Sequence, residues 1–425
     1  MKALRTTACC LLLALALAAP AAAATNGVTN NSIKLAYPDI DFAKLKDVGV
    51  NLDRGDTTKI FKALADDINS KGGVDGRNLD VSVVKYNLLD QADTEAACVK
   101  MTEDLKVFAV LGAFAGPFAS VNKCITDHKT ALFGGSPDLA IAKKTPWISG
   151  NASDARSAAL FVKLMAQKGI FRGKTIGVSS GLDTEQITKD TLVPALKKAG
   201  YPAKVVIIND ATDTTQSDAN WDVYAQKFQS AGVNHVILVG TETARGFTNL
   251  LNHKLHVSVS SPTASVLEGI ATNQTQHPAS DYDGAYTITG FTNTETFESP
   301  AVQQCVKAFK KENQNVTVKN PAIVPEGETD WGTGIAIACN SLALFEIVAD
   351  KAGKNLSNSS LIRAAQSMTT NFAYGSNPYN TFGPDKFDAN NGFRLAVYDH
   401  SIGKTGGLKP IGKVENLGSG STSSS

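Results

Sequence analysis

One short pattern in the chain has the form that nucleophilic catalysis uses. Gly177-Val178-Ser179-Ser180-Gly181 fits Gly-x-Ser-x-Gly, follows an apolar run and precedes a helical one. In that setting a serine on a strand-to-helix turn is held exposed as the nucleophile. A hydrolase would add an acid and then a histidine later in the chain, and His235, His277 or His400 would serve. Two features oppose this reading. The next helical pattern begins near Thr184, five residues on, where a nucleophile elbow would start its helix almost at once, and no His-Gly-Gly run supplies an oxyanion hole. His253 and His256 stand three apart on a helical pattern, but no nearby carboxylate or cysteine completes a metal site. No Gly-x-x-x-x-Gly-Lys-Ser/Thr phosphate loop occurs. The residues therefore imply no cofactor, no metal and no enzyme.

The cysteines point to an oxidising compartment. Residues 1–24 read as an export signal: Lys2 and Arg5 start it, Leu11 to Ala19 form the apolar centre, and Ala22-Ala23-Ala24 offer the small residues for cleavage before Thr25. Cys9 and Cys10 precede the apolar run, whereas a lipoprotein cysteine would follow it, so a periplasmic or secreted protein is expected. Four cysteines remain after cleavage: Cys98, Cys124, Cys305 and Cys339. An even count outside the cytoplasm suggests two disulfides. Three pairings are possible. Cys98 and Cys124 fall on helices that flank consecutive strands, and Cys305 and Cys339 on a later pair, which favours Cys98–Cys124 and Cys305–Cys339. No later stretch reads as a transmembrane helix; Ile335 to Ala349 comes closest, interrupted by Cys339, Asn340, Ser341 and Glu346.

Length and charge bound the class. The chain has 425 residues, 43% of them hydrophobic, enough for a large core and, by default, two domains. Its net charge of +1, with no dense Lys/Arg run, gives no reason to expect nucleic acid.

The elements follow one rhythm. Ile33 to Tyr37 reads as a buried first strand and Pro38 to Asp56 as a loop. Ile60, Phe61, Leu64, Ala65 and Ile68 recur at helical spacing. Asn69-Ser70-Lys71-Gly72-Gly73-Val74-Asp75-Gly76-Arg77 ends that helix, its glycines supplying left-handed residues. A strand from Leu79 to Val84 follows, giving a parallel unit with a right-handed crossover. Strands are expected at Val107–Leu111, Ala131–Phe133, Lys174–Val178, Ala203–Ile208 and His235–Val239, with helices between them. That alternation means an α/β fold of parallel sheets covered by helices on both faces. The spacing near residue 150 suggests a second sheet. After a strand at Gly284–Ile288, helices at Pro300–Asn313, Asp330–Lys351 and Asn358–Ser367 follow with little strand between them. Arg394 to Tyr398 is strand-like, and the tail from Gly418 is Gly/Ser only and expected to be disordered.

Two stretches carry a family resemblance. A helix, then Ile68-Asn69-x-x-Gly72-Gly73-Val74-x-Gly76-Arg77, then a strand is similar to the opening signature of type I periplasmic solute-binding proteins. Phe387-Asp388-x-Asn390-x-Gly392 resembles the second signature of that family, a turn closing a late hairpin. The nearest branch is the leucine/isoleucine/valine-binding proteins of ABC transporters, and the resemblance runs from about Ser32 to about Asp399. It implies two Rossmann-like lobes with parallel-sheet cores, joined by a three-crossover hinge. The first lobe would hold 28–147 and 285–370, and the second 148–284 and 371–413, with 414–425 a disordered tail. It also implies a monomer without a transmembrane segment that binds a small solute and delivers it to an ABC transporter permease. A soluble sensor of the same fold is the alternative.

Ligands of open parallel sheets sit outside the carboxyl ends of the strands. In the family, first-lobe loops hold a carboxylate, and an aromatic and an acid of the second lobe hold the other end. Carried onto this sequence, the first-lobe candidates are Asp39, Phe114, Ala115, Gly116, Phe118, Ser136 and Asp138, with Trp331 from the later helices. Asp183, Thr184 and Glu242 are the second-lobe candidates. Departures from the family pattern matter here. The loop Ala113-Phe114-Ala115-Gly116-Pro117-Phe118 has almost no hydroxyls, Thr184 stands near the usual aromatic position, and Ser260–Ser265 holds no acid. A pocket poor in partners for an ammonium favours a carboxylate or amide with an apolar or aromatic body over an amino acid.

Overall fold

The computed structural model describes residues 26–48, 52–116, 118–182, 184–208, 214–240, 243, 246–267, 277–325, 327–402 and 406–418. The expected export signal, Asp183, Glu242 and all but the first residue of the Gly/Ser tail lie outside these.

The opening unit forms as the residue pattern requires. Strand β1 (Ser32–Ile40) leads through a 3-10 turn at Phe42–Val48 to helix α1 (Thr57–Ser70). Asp56 caps the helix by accepting from the Lys59 N–H at 3.1 Å, which satisfies one of the orphan donors of the first turn. Ile60, Phe61, Leu64 and Ala65 are buried. The chain then leaves the helix through Gly72, Gly73 and Gly76, all at positive φ. At Gly73 a Cβ would stand 2.0 Å from the Arg77 carbonyl oxygen, so the turn admits only glycine. Strand β2 (Asn78–Tyr86) pairs parallel to β1 along its whole length. β1 runs on through Pro38, which the sequence assigns to a loop. Its second neighbour pairs only at Leu35 and Ala36, so the missing proline N–H interrupts no ladder there.

Helix α2 (Gln91–Val99), β3 (Ala109–Leu111), α3 (Asn122–Asp127), β4 (Ala131–Phe133), α4 (Leu139–Ala142) and β5 (Trp147–Ile148) complete the first sheet. Its order is β2-β1-β3-β4-β5, and all pairs are parallel. Helix α5 (Asp154–Gln167) then opens the second lobe. Strands β6 (Ile176–Gly181), β7 (Ala203–Ile208), β8 (His235–Val239), β9 (Ser258–Ser261) and β10 (Tyr286–Thr289) form a parallel run, with helices α6 (Glu185–Ile187), α7 (Val193–Lys198), α8 (Thr214–Ser230) and α9 (Gly246–Asn252) along the way. β13 (Gly392–Asp399) and β14 (Gly407–Asn416) add an antiparallel edge, giving the order β14-β13-β10-β9-β8-β6-β7. Both faces of this sheet are buried. Ile237 and Val239 join one apolar cluster while Val236 and Leu238 join another, as strict alternation along a doubly covered strand requires.

Several expectations are corrected. Ser260 and Ser261 belong to a strand, not a loop. Tyr286–Thr289 pairs in the second sheet, so the return to the first lobe begins after it rather than at 285. Phe382, Phe387 and Ala389 pack in the first-lobe core although 371–413 is expected in the second. The stretch Phe387–Gly392 is not a hairpin turn. It crosses between lobes and pairs with the outgoing crossover: Ser149 N–H donates to Phe387 O, and Ala389 N–H donates to Ser149 O, both at 2.8 Å. The hairpin β11 (Phe372–Tyr374) and β12 (Asn377–Asn380) precedes it.

Helices α10 (Asn293–Glu298), α11 (Pro300–Glu312), α12 (Trp331–Ala352) and α13 (Asn358–Ser367) return to the first lobe. By length and composition alone α12, 22 residues, is long and apolar enough to cross a membrane, contrary to the reading of the sequence. Ile335, Ala338, Leu342, Phe345 and Val348 bury it in the first-lobe core. The disulfides are Cys98–Cys124 and Cys305–Cys339, with Cα atoms 6.4 and 6.0 Å apart. They are the pairing that the neighbouring helices favour.

Candidate functional site

The carboxyl ends of the first sheet present a rim whose polar groups are largely bonded to the protein itself. Asp39, near the end of β1, is buried and accepts from Thr57 Oγ1 at 3.0 Å. Burial raises its pKa, and the Thr57 bond opposes that rise. Phe114 is 2% exposed and lies edge-on to Tyr86 with ring centroids 4.9 Å apart, so it belongs to the core rather than to a cleft wall. Asn122 fixes its backbone: Phe114 N–H donates to Asn122 Oδ1 at 2.8 Å, and Asn122 Nδ2 donates to Phe114 O at 3.0 Å. The Ala115 N–H donates to the Tyr86 hydroxyl at 3.0 Å. Gly116 has φ +80°, and a Cβ there would meet Leu88 at 2.3 Å, which explains the glycine without a ligand. Phe118 is half-buried against the first-lobe core. Asp138 is an N-cap that accepts from the Ala140 and Ile141 N–H groups. Trp331 is also structural. It stacks at 32° on Phe309, and its ring covers Gly55.

Arg54, which the pattern of the sequence does not single out, stands on the same rim. Its guanidinium lies 5.0 Å over the Phe42 ring and lines a small cavity with Tyr37, Asp39 and Thr57. Its charge lowers the Asp39 pKa against the effect of burial.

The second-lobe rim is more open. A cavity of about 140 Å³ lies across the ends of β6, β8 and β9, lined by Thr184, Val239, Gly240, Pro262 and Thr263 with Asp154 and Val266. Thr184 Oγ1 donates towards Val239 O at 3.1 Å and so ties β6 to β8. Asp154, at the first turn of α5, is the acid here. Ser260–Ser265 holds no acid, and Asp154 comes instead from the crossover rather than from a strand-end loop. The signal that could have found it is the capping residue Ser153 directly before it, whose side chain accepts the Arg156 N–H. Ser136 links the two rims: its Oγ accepts the Asp154 N–H at 2.9 Å.

Both rims hang on a polar hinge. The buried Asp388 carboxylate accepts Arg156 Nε at 2.9 Å and the Ser153 N–H at 2.6 Å. Arg156 also donates to Asn391 Oδ1 at 3.0 Å and to the Asn390 carbonyl. Lys386 donates to the Ala389 carbonyl at 3.1 Å and to those of Thr381 and Asp388; burial brings its pKa down to about 7. Gly150, Gly290 and Asn390, one from each of three crossing segments, line a common cavity.

The nucleophile reading loses its geometry. Ser179 lies within β6, fully buried, and its Oγ has no hydrogen-bond partner among the described residues. His235 is held between Ser258 Oγ and Ser260 Oγ, both at 2.7 Å, and burial pushes its pKa down to about 3.

Solved structures share this architecture. A fatty acid ABC transporter substrate-binding protein from Thermomonospora curvata superposes with TM-score 0.58 at 17% identity, covering 92% of this chain and 94% of its own. The leucine-binding protein LivK from Thermotoga maritima gives 0.59 at 12% identity, covering 90% and 99%. A solute-binding protein of an ABC transporter from R. palustris, in complex with benzoate, gives 0.55 at 11%, covering 91% and 98%. Among curated proteins none matches. At these identities the likeness concerns the fold. A family model described as periplasmic binding protein matches residues 56–403. That span covers well over half of the chain, so the chain belongs to the periplasmic binding protein family, whose members are solute-binding proteins and not enzymes.

Proposed function

We propose that this protein is an extracytoplasmic receptor that closes its two lobes over a small solute and delivers it, as a monomer, to an ABC permease. Its lobes comprise roughly 28–148 with 292–389, and 153–290 with 392–417. The observation that carries the reading is the meeting of the two rims at Ser136 and Asp154. It sets the strand ends of both sheets on one side of a three-segment hinge. A ligand that bridges both rims only in the closed state favours closure by its differential affinity.

The solute is a carboxylate or amide with an apolar body. All four exposed leucines among the described residues, Leu52, Leu89, Leu139 and Leu182, are 41–52% exposed and lie in segments after strand ends. Arg54 offers the carboxylate partner. Fatty-acid and benzoate relatives are consistent with that chemistry. Asp154 favours a second reading, a solute that also bears an ammonium. A thermal-shift panel separates them: benzoate and octanoate should raise the melting temperature, and leucine, isoleucine and valine should not. Occupancy at 100 times the dissociation constant adds about 2.7 kcal/mol. A shift with the amino acids alone would replace the first reading with the second. A shift with neither group would reject both.

A further inference from the structure

Outside the cleft, helices α1, α11 and α12 part to leave a cavity of about 260 Å³ in the first lobe. Leu64, Ile68, Ala308, Leu342, Ala343 and the Cys305–Cys339 bridge supply its apolar walls, and Asp67, Lys71, Gln304 and Glu346 its polar ones. It is partly open to solvent and far larger than the gaps between close-packed helices. Small side chains on α11 and α12 leave it open while the disulfide fixes their separation. Two carboxyls stand in the wall. Asp67 is held in ion pairs, while Glu346 on α12 has no hydrogen bond or ion pair among the described residues.

The charges around Glu346 select the sign of a ligand. On α1, Asp67 is balanced by Lys71 at 2.5 Å and by Lys311 of α11 at 2.6 Å. Burial first, and then Asp350 one turn on along α12, raise the Glu346 pKa to about 7, against a weaker lowering by Lys71. Burial and then Asp75, from the turn after α1, raise Asp350. Lys71 is committed to Asp67, so Glu346 has no counter-ion of its own.

We propose that this cavity is a second ligand site, separate from the inter-lobe cleft, for a small organic ammonium with an apolar body whose charge is met by Glu346. The carboxylate and the ammonium pair at one end while the hydrocarbon displaces water from the leucine and alanine walls. Such a ligand would brace α1 against α11 and α12.

The test is calorimetric titration of the purified protein with cyclohexylammonium chloride, with cyclohexanol as the uncharged counterpart. Saturable binding is expected, at least fivefold tighter for the amine. Its affinity should rise from pH 6 to pH 8, as Glu346 ionises while the amine stays charged. Glu346→Gln should weaken binding at least tenfold, and Ala343→Leu, which fills the cavity from another position, should abolish it. The cleft variant Asp154→Asn should bind the amine as the unaltered protein does. Absence of saturable binding overturns the proposal, as does equal affinity for the alcohol, a flat pH dependence, or binding retained in either cavity variant. Loss of binding in Asp154→Asn overturns it too, because it would put the amine in the cleft. Should Glu346→Gln fail to fold, the pH dependence and Ala343→Leu decide.

Discussion

The two rims differ in how closely they are packed. On the first lobe, Asp39 is bonded to Thr57, the Ala115 N–H to Tyr86, Phe114 to Asn122, and Asp138 to its own helix. On the second lobe, Thr184, Asp154 and Thr263 border an open space. Both disulfides lie in the first lobe, and among the described residues the second has none. The first lobe is thus a stapled platform. The second is the more adaptable surface, and ligand discrimination should reside mostly there.

Reduction should break this comparison most strongly. Each disulfide closes a loop of 26 or 34 residues of separation, worth about 3–4 kcal/mol in the chain-entropy model. With both reduced, denaturant unfolding should become biphasic, the first lobe melting before the second. A single unchanged transition would show that the staples do not set the difference.

Next in size is the hinge. Asp388→Ala leaves the Arg156 guanidinium without its buried carboxylate, at a cost of about 3–5 kcal/mol. Chemical denaturation should show that loss, and ligand affinity should fall with it, because the hinge presents both rims. Unchanged affinity in a variant destabilised to this extent would mean that the rims are positioned independently of the hinge.

The acid limb of stability should report on the second lobe. His235 is neutral in the fold down to about pH 3, whereas an unfolded histidine protonates near 6.5. Unfolding therefore takes up a proton as pH falls below about 6.5. Stability is full above that value and declines towards pH 3 by up to about 1.4 kcal/mol per pH unit. His235→Gln should flatten the slope between pH 6 and pH 4, measured by thermal melts. An equal slope in the variant would assign the acid sensitivity elsewhere.

The smallest effect is expected at Thr184→Val. It removes the tie to the Val239 carbonyl and should cost about 1 kcal/mol in stability. Ligand affinity should change more than stability does, and the reverse order would argue that Thr184 is only a strap between β6 and β8.

Local chemistry in the sequence determined a large part of this molecule. Periodicity at Ile60, Phe61, Leu64 and Ala65 sets α1, and the glycines from Gly72 to Gly76 set its exit, because left-handed backbone favours glycine and a Cβ at Gly73 would collide with the Arg77 carbonyl. Apolar runs such as Ala131–Phe133 and His235–Val239 set buried strands at the bounds the structure shows. Cysteines on neighbouring helices favoured the disulfide pairing. What the tertiary structure decided is where each polar group finds its partners. Phe114 and Asp138 look like cleft residues on strand-end loops, yet one is core and the other a helix cap. Ser179 fits a catalytic pattern but sits inside a strand. Asp154 and Arg54 reach the rims from a crossover and a loop, and Asp388 meets Arg156 across 232 residues of chain. Nothing in a one-dimensional pattern encodes such meetings. A side chain's role follows from the partners that folding brings to it, and those come from distant segments.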